Sequence, residues 1–306
     1  MIPAAPPEPA ASLAGAAGCF FWHAGSVLKL AGARVLDDRD ARGIRAVLDA
    51  DPVAACMVAA RVESAGGPVA PRLGGELWGY GGRLLDGMCF SGVNLVPLRG
   101  GADAMRAFAE RASRRRRVCS SLVGPSEQVL RLWDELSGHW GPAREVREDQ
   151  PLMELTERSQ LPPDPQVRQV RVAELEHYMP AAVAMFTEEV GIDPRSGGGA
   201  ASYRARVAEL IAAGRAFARF EDGEVVFKAE IGAMSRSVGQ IQGVWVHPAR
   251  RGEGLGAAGT AAVADRLVRE FGRSASLYVN DYNLPARVAY HKIGFRQRGS
   301  FSTVLL

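Results

Sequence analysis

Between residues 238 and 271 the chain changes its period once, and that change restricts the available folds more than any other feature. Val238 to Val246 alternates as a strand does, and glycines then stand at 252, 254 and 256. From Gly254 to Phe271 apolar residues recur at helical spacing in an Ala-rich run. A strand that feeds a glycine loop opening a helix directs unpaired backbone N–H groups and the positive end of the helix dipole at one spot. That spot attracts an anion, and glycine, lacking Cβ, lets the anion reach the backbone. Arg250 and Arg251 add positive charge. Two other nucleotide loops do not fit, since Gly-Lys-Ser/Thr is missing and no dinucleotide fingerprint is followed by a placed acid. A plain strand-to-helix turn stays open as the alternative.

The flanking residues extend the pattern. Strand signals at Gln166–Val172, Ala216–Phe220, Val225–Met234 and Ala275–Val279 mix with helical ones at Glu174–Val190, Tyr203–Ala213 and Pro285–Ile293. Asp222-Gly223 reads as a hairpin turn, and Phe301–Leu306 as a last extended segment. An α/β (α+β) class follows, with mixed strands and helices on both faces. The run Leu161-Pro162-Pro163-Asp164-Pro165 can continue neither a helix nor a central strand. It marks a linker, 161–165, between a first domain, 28–160, and a second, 166–306. Residues 1–27, rich in Ala and Pro near the start and without the basic opening of a secretory signal, are expected to be a disordered leader.

Charge and composition exclude several classes. The net charge of +3 lies wholly after residue 160, where 18 basic side chains stand against 15 acidic ones. This is too mild for a nucleic-acid binder and suits a small polyanion. The basic run Arg114–Arg117 complements the end of a helix, without the interleaved aromatics of a nucleic-acid surface. No apolar stretch approaches the ~18 residues of a membrane span. Cys19, Cys56, Cys89 and Cys119 are far apart, so neither a disulfide framework nor a metal site is expected, and a reducing cytoplasm is.

Arg251-Gly252-Glu253-Gly254-Leu255-Gly256 reads Arg-x-x-Gly-x-Gly with a glycine added, and Asn283, Ala286, Tyr290 and Gly294-Phe295 follow in order. On these residues the chain, over about 165–306, resembles the GNAT superfamily of acyl-CoA-dependent N-acyltransferases. The resemblance implies a mixed, mostly antiparallel splayed sheet flanked by helices and acetyl-CoA as cosubstrate. It implies that Val244, Trp245 and Val246 hold the pantetheine arm, that residues 251–256 hold the pyrophosphate, and that Asn283 binds the cofactor arm. Tyr290 would protonate the departing thiolate, a role that suits a phenol near pKa 10. A base is less legible. Gln240 and Gln242 stand where some family members carry glutamate, leaving Glu230, which alternates with Lys228, as the candidate base or as half of a strand-surface ion pair. Glu188 and Glu189 close a helix beside the acceptor loop and are candidates for selecting a cationic amine. His247, His291 and Cys119 read as ordinary surface or core residues.

The first half repeats the succession without the chemistry. Leu84–Phe90, Val93–Leu98, helix Ala102–Arg114, Val118–Val123 and helix Ser126–Leu136 follow the same order. Arg99-Gly100-Gly101-Ala102-Asp103-Ala104 overlays residues 251–256, with Ser126 opposite Asn283 and Trp133 opposite Tyr290. Two GNAT-like domains are expected, the first degenerate and unable to bind the cofactor. The leading expectation is an N-acetyltransferase acting by direct attack of a primary amine. A non-catalytic acyl-CoA sensor is the alternative, and the acceptor's identity stays open. Residues 160–306 alone are expected to bind acetyl-CoA, with the first half needed for the acceptor.

Overall fold

Residues 32–68 and 73–306 are described by the computed structural model; the expected leader lies outside them. In the first half the chain forms β1 (Arg34–Val35), α1 (Ala41–Ala50), α2 (Cys56–Ala65), β2 (Gly75–Gly81), β3 (Leu85–Gly92) and β4 (Asn94–Arg99). It continues with α3 (Ala102–Ser113), β5 (Ser121–Pro125), α4 (Ser126–Trp140) and β6 (Glu145–Leu155). The second half runs β7 (Arg168–Gln169), α5 (Leu175–Val190), α6 (Ala200–Ala212), β8 (Ala216–Glu221), β9 (Glu224–Met234) and β10 (Val238–Val246). It ends with α7 (Leu255–Arg269), β11 (Ser274–Tyr278), α8 (Leu284–Ile293) and β12 (Arg296–Leu305). Each half therefore reads strand, two helices, three strands, helix, strand, helix, strand.

Local chemistry explains most of these elements. In α1 the buried residues Gly43, Ile44, Val47 and Leu48 fall on one helical stripe. β8 and β9 close on Asp222 and Gly223, with Asp222 at φ 49°, the left-handed geometry a two-residue hairpin requires. On α7 the small residues Gly259, Ala261 and Ala264 lie buried with Val263 and Leu267, so the helix packs close to the sheet.

Among the described residues, the strands form one 12-stranded sheet in the order β1-β2-β3-β4-β5-β12-β6-β11-β10-β9-β8-β7. Read inward from its two edges, each strand of the first half occupies the place of its counterpart in the second until the centre, where β12 and β6 have changed sides. β6 pairs with β11 over Leu152–Leu155 and with β12 over Glu145–Glu154, while β12 also pairs with β5. The pairs β4–β5 and β10–β11 are parallel and the others antiparallel, the mixed, mostly antiparallel arrangement expected of both domains. The sheet of residues 160–306 is therefore completed by a strand of residues 145–155, which bears directly on the expectation that residues 160–306 alone bind acetyl-CoA.

The halves are also packed together. Cys56, Val58 and Ala59 of α2 share a core cluster with Ala233 and Val238 of the second half, and the Cys56 thiol donates to the Val238 carbonyl at 3.4 Å. The proline-rich run packs against the second half: Asp164 is buried, donates its N–H to the Ala258 carbonyl at 3.0 Å and accepts from Arg219 at 3.0 Å. Cys56, Cys89 and Cys119 are free and buried, and burial pushes the Cys56 thiol up to about 11. Among the described residues no helix is long and apolar enough to cross a membrane.

Candidate functional site

β10 starts as a central strand and ends as an open edge. It pairs with β11 from Val238 to Gln240 only, and keeps its antiparallel bond to β9 as far as Val246. A bulge falls between Gln242 and Trp245, where Gly243 takes φ 58°. A Cβ there would lie 3.0 Å from the Met185 methyl and 3.2 Å from Lys228 Nζ, so the left-handed turn and the crowding both call for glycine. Beyond it Val244–Val246 turn one backbone edge to β9 and the other to a gap.

The glycine loop closes that gap at one end. Gly252 and Gly254 take φ 85° and 84°, with no atom within 4 Å of where a Cβ would stand. Gly254 is the N-cap of α7 and brings no capping side chain, so the N–H groups of the first turn face open space. At the other end, α8 starts at Asn283, whose side-chain oxygen accepts the Ala286 N–H at 3.2 Å; the residue caps its own helix. Tyr290, one side of α8 further on, is only 7% exposed and leans on Phe295. Burial, followed by the charge of Glu189, holds its hydroxyl above the ordinary tyrosine range, so it stays protonated.

A cleft of about 800 Å³ joins these parts. Of the residues nominated from sequence, Val244, Trp245, Val246, Arg251, Gly252, Gly254, Leu255, Gly256, Asn283 and Tyr290 line it, as do Glu188 and Glu189. Glu253 and Glu230 do not. Glu253 is held by Arg250 at 2.8 Å. Glu188 is engaged at both oxygens, by Trp245 Nε1 at 3.0 Å and Arg251 Nη2 at 2.7 Å, so it bridges the loop to α5.

Glu230 lies beneath the bulge, 5% exposed. Its Oε1 accepts from Lys228 Nζ at 2.8 Å and from the Tyr178 hydroxyl at 3.0 Å, and Gln242 approaches its Oε2 at 3.5 Å. Burial pushes its carboxyl up, but the Lys228 ammonium and these donors outweigh burial and hold it below the usual carboxylate range. Lys228 is fully buried. Glu230→Ala should therefore destabilise the fold by about 3–5 kcal/mol, because it leaves an unpaired buried ammonium. Urea unfolding checks this, and the Lys228→Met, Glu230→Leu double variant should recover most of the loss.

Several residues of the site carry no signal in the sequence. Thr303 donates to Gln150 Oε1 at 2.6 Å, Gln150 Nε2 to Asn280 Oδ1 at 2.7 Å, and Asn280 Nδ2 to the Tyr282 hydroxyl at 2.9 Å. Asn280 and Tyr282 line the cleft, so β6 and β12 together hold its wall. In the first half β4 likewise pairs with β5 only at Asn94 and Leu95. Asn94 Nδ2 donates to Ser121 Oγ at 2.7 Å across β4 and β5, and a Cβ at Gly124 would touch Val96 and Val129 at 3.6 Å. By helix caps, Gly101 stands where Gly254 does and buried Leu132 where Tyr290 does, one residue from the expected Trp133. Neither side chain has a proton for a thiolate.

The FR47-like protein family model matches residues 226–304, and a domain of unknown function, DUF4081, matches residues 75–178. No curated protein matches the chain. Among solved structures, an acetyltransferase of the GNAT family from Colwellia psychrerythraea is 11% identical with a TM-score of 0.54, over 90% of this chain and 99% of its own. A Drosophila protein is 13% identical with a TM-score of 0.61, over the same 90% and 99%. A GCN5-related N-acetyltransferase from Sphaerobacter thermophilus is 17% identical with a TM-score of 0.51, over 90% and 96%. At these identities the likeness is one of fold, and it spans both halves. The chain thus shares the fold of these GNAT-family structures across both of its halves, and residues 226–304 of the second half match the FR47-like family model.

Proposed function

We propose that the protein is an acyl-CoA-dependent N-acyltransferase that moves an acetyl group from acetyl-CoA to a primary amine by direct attack. The observation that carries this reading is a single cleft with an uncapped helix N-terminus at one end, a buried tyrosine hydroxyl at the other and an unpaired strand edge between them. The residues fit the cosubstrate. Open space at Gly252 and Gly254 admits a pyrophosphate to the N–H groups of α7, with the helix dipole favouring its charge. The edge of Val244–Val246 away from β9, where Arg251 Nε donates to the Val246 carbonyl at 3.1 Å, offers its remaining backbone groups to the amides of a pantetheine arm as a neighbouring strand would.

When bound, acetyl-CoA supplies an electrophilic thioester carbonyl. Backbone N–H groups at the bulge stabilise the charge that develops on its oxygen. The amine attacks the carbonyl as the free base, any extra proton having passed to solvent; Tyr290 donates its proton to the departing sulfur, and the nitrogen's surplus proton returns through solvent to the Tyr290 oxygen as the amide forms. Glu230, enclosed with Lys228, keeps the bulge in place. The protonated tyrosine facing the cleft supports an enzyme over a sensor that only binds. Three free, buried cysteines support a reducing cytoplasm as its compartment.

Calorimetry with acetyl-CoA should show one site per chain, and free thiol should appear when amines are added; binding without thiol release would favour the sensor. Tyr290→Phe should leave acetyl-CoA affinity nearly intact and lower kcat by about 10- to 100-fold. The upward shift also sets the sign of the pH response: the hydroxyl keeps its proton from neutral pH to at least about pH 10, so kcat should not fall over that range through loss of the acid. An alkaline limb below about pH 10 that Tyr290→Phe abolishes would contradict the upward shift while keeping Tyr290 as the acid, and unchanged kcat in Tyr290→Phe would contradict the acid itself.

A further inference from the structure

Resting on the transferase reading, we propose that Glu189, clamped by Arg147 of the first half, is the carboxylate that receives the acceptor, and that the acceptor's amine enters as a cation. Three acidic groups lie near the bulge, and the structure separates them. Glu188 is engaged at both oxygens, and Glu230 is enclosed beneath the strand. Glu189 lines the cleft with its side chain 55% exposed.

Its position is set from across the chain. Arg147, on β6 and 9% exposed, donates through Nη1 to Glu189 Oε1 at 2.8 Å and through Nη2 to the Glu189 carbonyl at 2.6 Å. The remaining edge of the same guanidinium binds Glu145 at 2.8 and 3.2 Å. Two carboxylates therefore share one cation, and the trio keeps one unit of negative charge. Among the described residues, Glu189 Oε2 accepts no hydrogen bond. A half-exposed carboxylate oxygen carrying surplus charge, fixed beside the acid Tyr290, is suited to an alkylammonium. After burial, that charge is the next cause holding the hydroxyls of Tyr278 and Tyr290 up. Glu189 touches the substrate; Arg147 acts through it and is a positioning residue.

The test uses the full chain with acetyl-CoA and two probe amines, putrescine as the cation and aniline as the amine uncharged at neutral pH. Glu189→Gln should lower the preference for putrescine over aniline, as the ratio of their kcat/KM values, by about 10- to 100-fold, chiefly through the putrescine KM. Acetyl-CoA affinity by calorimetry should stay within about threefold. Arg147→Met should move the same ratio in the same direction, and Arg147→Lys should restore part of it, which a loss of packing would not do. Glu189→Lys, should the glutamine variant fold poorly, should nearly abolish the putrescine reaction. An unchanged ratio in Glu189→Gln, or a wild-type chain that uses aniline alone, overturns the proposal and leaves the transferase reading standing. A wild-type chain that binds acetyl-CoA and transfers to neither amine overturns both.

Discussion

Residues 160–306 expressed by themselves will not bind acetyl-CoA, although every residue of the glycine loop and Tyr290 is present. The fragment lacks β6, which lies between β11 and β12 and is hydrogen-bonded to both. Leu152, Met153 and Leu155 of β6 are buried. At about 1.5–3 kcal/mol for each buried side chain, their loss removes roughly 5–9 kcal/mol. That is comparable with the whole stability of an ordinary domain, about 5–15 kcal/mol. The fragment also loses Gln150 from the side of Asn280 and Arg147 from the side of Glu189. Co-expression with residues 1–160 should return binding, since each piece then supplies the other's missing strand. Calorimetry on the fragment and on the reassembled pair checks this, and a fragment with the affinity of the full chain would mean that the exchange of β6 and β12 does not matter for the site.

Gly254→Val should abolish acetyl-CoA binding, with a loss of affinity of about 100-fold or more. Two effects add. A β-branched residue at φ 84° is strained by at least about 1–2 kcal/mol, which loosens the start of α7. Its side chain then fills the open space through which a phosphate reaches the N–H groups of that helix. Gly101→Val at the start of α3 is the matched control, since Gly101 caps its helix at φ −83°, where valine is not strained, and has open space where a Cβ would stand. It should leave acetyl-CoA binding unchanged. Equal losses at both positions would point to two working loops, and no loss at Gly254 would remove the phosphate from this loop altogether.

Much of the second half was legible because its signals are local. β10 spans Val238–Val246 as its alternation indicates, and α7 and α8 begin within a residue or two of where glycine and proline punctuate the sequence. The turn at Asp222-Gly223, the glycine loop and the order of Asn283 and Tyr290 need no knowledge of distant residues. In the first half β1, α1, α2, β2 and β6 carry no clear local signal. β6 opens Glu145-Val146-Arg147-Glu148-Asp149-Gln150, a charged run that resembles a surface loop, and only its place between two other strands makes it a strand.

The residues by themselves determined that there are two α/β halves of one succession, that the second carries a glycine loop opening a helix with a tyrosine in sequence behind it, and that the first lacks the two later glycines and the tyrosine. Tertiary structure alone decided how the halves are joined and which acids face the cleft. Glu188 and Glu189 are neighbours of one kind in the sequence, yet one bridges to Arg251 and the other, across 42 residues, to Arg147. Lys228 and Glu230 have the spacing of a surface ion pair, and the packing of α5 over them makes it a buried one. The physical reason is the same in each case: period and punctuation are set by a residue's own backbone and near neighbours, whereas burial, charge pairing and strand order are set by whichever distant segment the fold brings alongside.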